Sequence, residues 1–245
     1  MDLVLKNKKV LVQGSSSGLG FAVAKAYAEE GALVAICSRN RQRIITASKE
    51  IPGSVPFVCD LDQRGAPGKL IRDVIQQFGG IDILITNTGG TEPGLFSELT
   101  LDQWQKAFER LYLSAIESIK AVLPFMRSQR WGRIILSTST AAKEPVPNLT
   151  LSTALRSGLL GLMKTLSQEV AAEHITVNAL LPGYTRTERL QELGLSETEL
   201  IKLIPARRLG RPAEYGALAT FLGSEQAGYI TGQAIACDGG LIRGL

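Results

Sequence analysis

Short apolar runs and longer half-apolar stretches take turns along this chain. Val10–Val12 is apolar, β-branched and bounded by glycine, the signature of a short buried strand. A helical pattern follows over Phe21–Glu30 and stops at Gly31. Leu33–Cys37, Val55–Cys59 and Ile81–Thr86 read as three more buried strands, separated by helices over Arg41–Glu50 and Lys69–Phe78. Thr100 caps a long helix and Gln103 completes a capping box. That helix runs to about Arg127, with a kink before Pro124. Strand Arg133–Ser137, helix Leu151–Glu173, strand Thr176–Leu180, helix Pro212–Leu222 and strand Gln233–Cys237 complete the series.

Alternation of this kind predicts an α/β fold: a doubly wound parallel sheet of about seven strands, helices on both faces and right-handed crossovers. No shift in composition, linker or repeat divides residues 1–245, which are expected to form one domain. Ligands in such sheets bind beyond the carboxyl ends of the strands. The candidate segments all follow strands: Gly14–Gly20, Ser38-Arg39, Asp60-Leu61, Asn87–Gly90, Ser139 and Pro182–Thr187.

Composition narrows the picture. With 44% hydrophobic and 20% charged residues the chain can bury a sizeable core. No apolar run approaches the ~20 residues of a membrane span, and the N-terminus lacks a signal-peptide pattern. The net charge of +4 is spread thinly, which argues against a nucleic-acid partner. Cys37, Cys59 and Cys237 fit neither a disulfide framework nor a zinc pattern. They read as buried small residues of a reduced, cytoplasmic protein with no metal. The single histidine, His174, sits at a helix end and reads as a partner of the helix dipole.

The segment Gly14-Ser15-Ser16-Ser17-Gly18-Leu19-Gly20 lies between a strand and a helix. Glycines there let backbone N–H groups approach a pyrophosphate, and the helix N-terminus adds about half a positive charge. The spacing Gly-x3-Gly-x-Gly is also compatible with plain turn chemistry. Further motifs decide the matter: Thr86-Asn87-Thr88-Gly89, Asn178 ahead of Pro182-Gly183, Tyr229-Ile230-Thr231-Gly232 and Asp238-Gly239-Gly240. In this order and spacing the set, from about Lys6 to Gly240, resembles the short-chain dehydrogenase/reductase family, 3-oxoacyl-acyl-carrier-protein reductases among it.

The resemblance implies a Rossmann-type fold and a nicotinamide cofactor. Its binding residues would be Gly14, Ser16, Ser17, Gly18, Leu19 and Gly20 on the turn, Ser38 and Arg39 after strand two, and Asp60 and Leu61 after strand three. Asn87, Gly89, Arg156, Pro182, Gly183 and Thr185 would complete the set. Residues after strand two meet the adenosine ribose. A carboxylate there would accept from the 2′-hydroxyl of NAD; this chain has Ser38-Arg39 instead, which suits the 2′-phosphate of NADP. Arg39 also reads as a solvated charge at a helix start.

The family works with Ser, Tyr, Lys and Asn. Ser139 aligns with the serine, but the tyrosine position falls on Ser152, the lysine position on Arg156 and the asparagine position on Leu111. A tyrosine with a reference pKa of about 10 can be lowered enough to exchange protons near neutrality, whereas a serine is too weak an acid. Arginine keeps a charge for the ribose hydroxyls but does not deprotonate. Tyr184, expected on the substrate side, and Tyr112 are the nearest phenols in sequence; Tyr112 is expected to face away.

Two functions follow as expectations: an NADP-dependent oxidoreductase of a carbonyl or alcohol with a divergent catalytic site (Ser139, Ser152, Arg156), or a catalytically weak or inactive NADP-binding sensor or scaffold. Residues 187–204, two amphipathic pieces around Gly194, would form the substrate lid, with Pro145–Asn148 in reach. The family's helix faces imply a homotetramer or homodimer, with Leu113, Ile116 and Ile119 as candidate contacts.

Overall fold

The computed structural model describes residues 2–188, 190 and 196–244. Its centre is a seven-stranded sheet of strand order β3-β2-β1-β4-β5-β6-β7, and every pairing is parallel. The strands are β1 (Lys9–Val12), β2 (Leu33–Ser38), β3 (Val55–Val58), β4 (Ile83–Thr86), β5 (Gly132–Ser137), β6 (Ile175–Pro182) and β7 (Ala234–Cys237). Each overlaps a strand read from the sequence. The strand order reverses between β1 and β4, which opens a crevice above their carboxyl ends.

Side chains on successive strand positions point to opposite faces. Leu11, Ala35, Leu84, Ile134 and Val177 therefore enter one core, under α3 (Ala66–Phe78), α5 (Ser114–Gln129) and α6 (Thr150–Val170). Val12, Val34, Ile36, Ile85, Ile135 and Leu180 enter the other, under α1 (Gly18–Glu29), α2 (Arg41–Glu50) and α8 (Pro212–Gly223). Strands buried on both sides read as continuous apolar runs, which is why they were visible in the sequence.

The long helix after Thr100 is a correction. The capping box is present, with the Thr100 side chain accepting from the Gln103 backbone N–H and the Gln103 side chain accepting from the Thr100 N–H. Yet α4 (Leu101–Phe108) gives way to a π-helical turn, Glu109–Leu113, before α5 resumes. The N–H of Ser114 donates to the carbonyl of Glu109, five residues back, and its hydroxyl donates to the carbonyl of Arg110. The Ser118 hydroxyl donates to Ser114 O, and Gln13, the residue after β1, donates to that hydroxyl. This buried polar ladder supports the turn. The interruption falls there, while Pro124 lies inside α5, which runs on to Gln129.

Other expectations are refined. Cys37 is buried, but Cys59 and Cys237 are only partly so, and all three are free thiols. Of the candidate contact residues, Ile119 belongs to the core, while Leu113 and Ile116 stay partly exposed. Of the two amphipathic pieces near Gly194, the second is α7 (Glu197–Leu203); Arg189 and residues 191–195, Gly194 among them, lie outside the described residues. His174 closes a 3-10 turn after α6, where its carbonyl accepts from Arg133. Among the described residues, no helix is long and apolar enough to cross a membrane.

Candidate active site

The turn after β1 is built by close approach. Gly14 has φ of +57°, and a Cβ there would stand 2.4 Å from the carbonyl oxygen of Asn87. Asn87 donates from Nδ2 to Gly14 O at 3.1 Å, locking the β1 turn to the β4 turn. Ser15, which the sequence reading passed over, donates to Val12 O and accepts from the Cys37 N–H, locking the same turn to β2. Gly18, with φ of +60°, opens α1. The Ser17 side chain makes no capping bond and the helix has no acidic residue in its first turn, so among the described residues the helix itself leaves its positive end uncompensated at the crevice. Gly20 has a packing role within the turn. A Cβ on it would meet Gly14 O at 2.3 Å, so it lets α1 pack against the turn and stands outside the cleft lining.

One cleft of about 700 Å³ runs along the carboxyl ends of the strands. It gathers Gly14, Ser16, Ser17, Gly18, Leu19, Ser38, Arg39, Asp60, Leu61, Asn87 and Gly89 at one side. Ser139, Ser152, Arg156, Pro182, Gly183, Tyr184 and Thr185 line the other. Every site residue read from the sequence except Gly20 therefore faces one space. Val146, from the Pro145–Asn148 stretch expected within reach, also lines the cleft, as do residues that sequence reasoning missed, among them Asp62, Arg110, Thr138 and Leu149. The Arg39 side chain is 71% exposed and lies 3.8 Å from Asp62. Arg110, on the π turn, donates to Asp62 Oδ2 from Nε at 2.9 Å and from Nη2 at 2.7 Å.

At the far end, Ser152 and Arg156 stand one turn apart on α6 and are both buried. Arg156 donates from Nε to Ser152 Oγ at 3.1 Å, from Nη1 to Ser137 O at 3.3 Å and from Nη2 to Gly89 O at 2.6 Å. Its guanidinium thereby ties the end of β5 to the loop after β4. Ser139 begins a 3-10 turn, Thr140–Ala142, and its Oγ accepts from the Ala141 N–H at 3.2 Å. Both serine oxygens thus accept from the protein, and among the described residues neither hydroxyl donates elsewhere. Two donor hydrogens are left for the cleft.

The phenols divide. Tyr184 lines the cleft, and burial raises its pKa. Tyr112 stacks on Phe108 at 5.4 Å and packs beside Gly158, outside the cleft lining, as expected. Leu111 is buried in the π turn. The structure adds Tyr215, whose hydroxyl lies 2.7 Å from Ser137 Oγ just behind the lining. Burial pushes its pKa well above the ordinary phenol value despite the Ser137 hydrogen bond and the Arg156 charge, so it holds its proton.

Comparisons with known proteins agree with this architecture. Residues 14–242 match the family model described as enoyl-(acyl carrier protein) reductase. The 3-oxoacyl-[acyl-carrier-protein] reductase FabG of Thermotoga maritima is 31% identical, over 97% of this chain and 99% of its own. Human dehydrogenase/reductase SDR family member 4 is 33% identical, over 96% of this chain and 88% of its own. Among solved structures, YwfH, an NADPH-dependent reductase of bacilysin biosynthesis, superposes with a TM-score of 0.94 at 29% identity, covering 98% of this chain and 100% of its own. L-sorbose reductase from Gluconobacter frateurii, complexed with NADPH and L-sorbose, gives 0.93 at 28% identity with full coverage of both chains. Matched along nearly its whole length, in sequence and in three dimensions, the chain belongs to the short-chain dehydrogenase/reductase family of oxidoreductases.

Proposed function

We propose that the protein is an NADP-dependent oxidoreductase that interconverts a small carbonyl compound and its alcohol at a divergent active site. The observation that carries this reading is a single cleft. It holds the glycine turn and bare helix end, the acid-free end of β2 with its exposed Arg39, and the Ser139–Ser152–Arg156 cluster. The fit to a dinucleotide is physical. The close approach at Gly14 and the uncompensated start of α1 suit a pyrophosphate, and Arg39 with Ser38 suits a 2′-phosphate. Asp60, Leu61, Asn87, Gly89, Pro182, Gly183 and Thr185 then line the cofactor; of the proposed substrate lid, residues 187–204, the described Thr187, Glu188 and Leu190 border the cleft.

The bound nicotinamide would supply or accept the hydride. The protein's own part is electrostatic. Ser139 and Ser152 both have hydrogens to point at one substrate oxygen, and the Arg156 charge behind Ser152 stabilises negative charge developing on that oxygen. In this reading Ser152 and Arg156 stand where the family has tyrosine and lysine, so an efficient general acid is missing. General acid catalysis is worth ~10²–10⁴ in rate, which leaves slow turnover within reach. Tyr184 borders the substrate; with burial raising its pKa it is a poor proton donor near neutrality. The protein is further proposed to be cytoplasmic and to assemble as a homotetramer, with apolar side chains such as Phe96, Leu101 and Phe108 exposed near and along α4 in support.

The test pairs binding with turnover. NADPH should bind at least about ten times tighter than NADH, and Arg39→Ala should lose ~1.5–3 kcal/mol for NADPH and little for NADH. NADPH oxidation against ketones, aldehydes and β-ketoacyl thioesters should be slow and should rise in Ser152→Tyr/Arg156→Lys. Equal affinity for the two cofactors refutes the cofactor assignment. Tight NADPH binding with no turnover on any substrate in either protein favours the second reading, a cofactor-binding sensor or scaffold; the buried Leu111 and the serine at position 152 point the same way.

A further inference from the structure

Three charged side chains meet at the mouth of the cleft, and the family motifs account for only one. Asp62 Oδ2 receives Nε and Nη2 of Arg110 at 2.9 and 2.7 Å and lies 3.8 Å from Nη1 of Arg39. The Asp62 side chain is 26% exposed, Arg110 37% and Arg39 71%. Nη1 of Arg110 also donates to Gly90 O at 3.3 Å, so its guanidinium is oriented by the β4 loop while it covers the carboxylate. A bare carboxylate beside Arg39 would do two things. It would draw Arg39 into a tighter ion pair, and it would repel any phosphate arriving there. With Arg110 in place the cluster has two positive charges and one negative; without it the charges cancel.

We infer that Arg110 is a specificity-determining positioning residue: by neutralising Asp62 it leaves Arg39 available to a 2′-phosphorylated cofactor. This rests on the proposed binding of NADP. Arg110 acts through Asp62, and its effect is confined to ligands bearing the extra phosphate, which carries about −1.5 to −2 charges at neutral pH.

The experiment measures dissociation constants by calorimetry for NADPH and NADH, and for the fragments adenosine 2′,5′-bisphosphate and 5′-AMP, which report the adenosine end alone. Arg110→Met should weaken NADPH and the bisphosphate about five-fold and leave NADH and 5′-AMP within two-fold, the scale of a partly exposed ion pair. Arg110→Lys should retain most of the preference. Asp62→Asn should raise affinity for the phosphorylated ligands by about two- to five-fold, and Arg110→Met/Asp62→Asn should return the preference to the wild-type ratio. The differences should shrink at high salt. Equal weakening of all four ligands by Arg110→Met would assign Arg110 to holding the Gly90 loop and overturn the inference. So would a double variant that does not recover. Wild-type protein that binds NADPH and NADH alike overturns the cofactor reading and this role with it, whereas a wild-type preference that survives Arg110→Met overturns the inference alone.

Discussion

Arg156 holds two strand ends together before any ligand arrives, and Arg156→Met tests that. The substitution keeps much of the aliphatic stem and removes the donors to Ser152 Oγ, Ser137 O and Gly89 O. Hydrogen bonds from a charged group contribute ~1.5–3 kcal/mol each where no water competes. Here Ser137, Gly89 and Ser152 line the cleft, so water can partly replace the lost donor, and the three bonds share one cation and are not additive. A net loss of about 2–4 kcal/mol follows, roughly 5–15 °C in Tm for a chain of this size. Ser152→Ala removes one acceptor and leaves the guanidinium on both carbonyls; it should cost under about 1 kcal/mol. Urea unfolding with fluorescence detection gives the stability, and NADPH titration of the same proteins gives the affinity. NADPH should bind clearly more weakly to Arg156→Met and only slightly more weakly to Ser152→Ala. An Arg156→Met protein within about 0.5 kcal/mol of wild type, with unchanged NADPH affinity, would refute the argument.

Gly14→Ala should be among the most damaging small substitutions: its φ of +57° costs alanine ~1–2 kcal/mol, and the new Cβ would meet Asn87 O at 2.4 Å. Loss of more than about 2 kcal/mol in urea melts, with NADPH binding at least ten-fold weaker, is expected. Cys59 is pushed up to about 11 by burial and by the nearby Asp60 and Asp73, so roughly one thiol in a thousand is ionised at pH 8. Its alkylation by iodoacetamide, followed by mass spectrometry, should be more than about a hundred times slower than that of an unperturbed cysteine. Burial acts to raise the Glu225 pKa, but hydrogen bonds from Lys8 and Trp131 and the charges of Lys8 and Arg133 bring it below the usual carboxylate value. A depressed acid stabilises the fold above its unfolded pKa and loses that contribution as pH falls through its folded one. Glu225→Gln should therefore narrow the difference between urea midpoints at pH 7 and pH 4. Light scattering at micromolar concentration should give a tetramer mass; a monomer mass would remove the proposed assembly.

The layered sheet was legible because its inner strands, β1, β2, β4, β5 and β6, are largely buried on both faces and its helices on one. Short continuous runs such as Leu33–Cys37 mark the strands, and stripes such as that of α3 carry the helical period. The glycine turn was legible as a turn, and its ordering against Asn87, Pro182 and Asp238 marked one side of the sheet as the binding side. Strand order was not. Periodicity says that a segment is a strand and leaves its neighbour open, and the crevice exists because β4 pairs with β1 in place of β3. Spacing alone also cannot separate a glycine that admits a ligand from one that admits a helix; the approach to Gly14 O gives Gly20 a packing reason of its own.

The charged residues expose a deeper limit. Arg39 could be found from the sequence because its position, just after β2, defines its surroundings in this kind of sheet. Arg110 could not. On an unbroken helix each residue advances about 100°, and the face presented by position 110 would follow from its distance to Thr100. The π turn adds one residue at that point and shifts the register of everything between Phe108 and Ser114. The turn is sustained by Gln13, Ser114 and Ser118, of which Gln13 lies about a hundred residues away in sequence. Arg110 then meets Asp62, and Arg156 meets Gly89, across separations of 48 and 67 residues. Both arginines hold the same Gly89–Gly90 loop by successive carbonyls, one from the cofactor side and one from the catalytic side. A substitution at either should therefore be felt at the other through that loop. The double variant Arg110→Met/Arg156→Met, measured in a stability cycle, should show a coupling of about 0.5–1.5 kcal/mol. Strict additivity would mean that the two ends of the cleft are held independently.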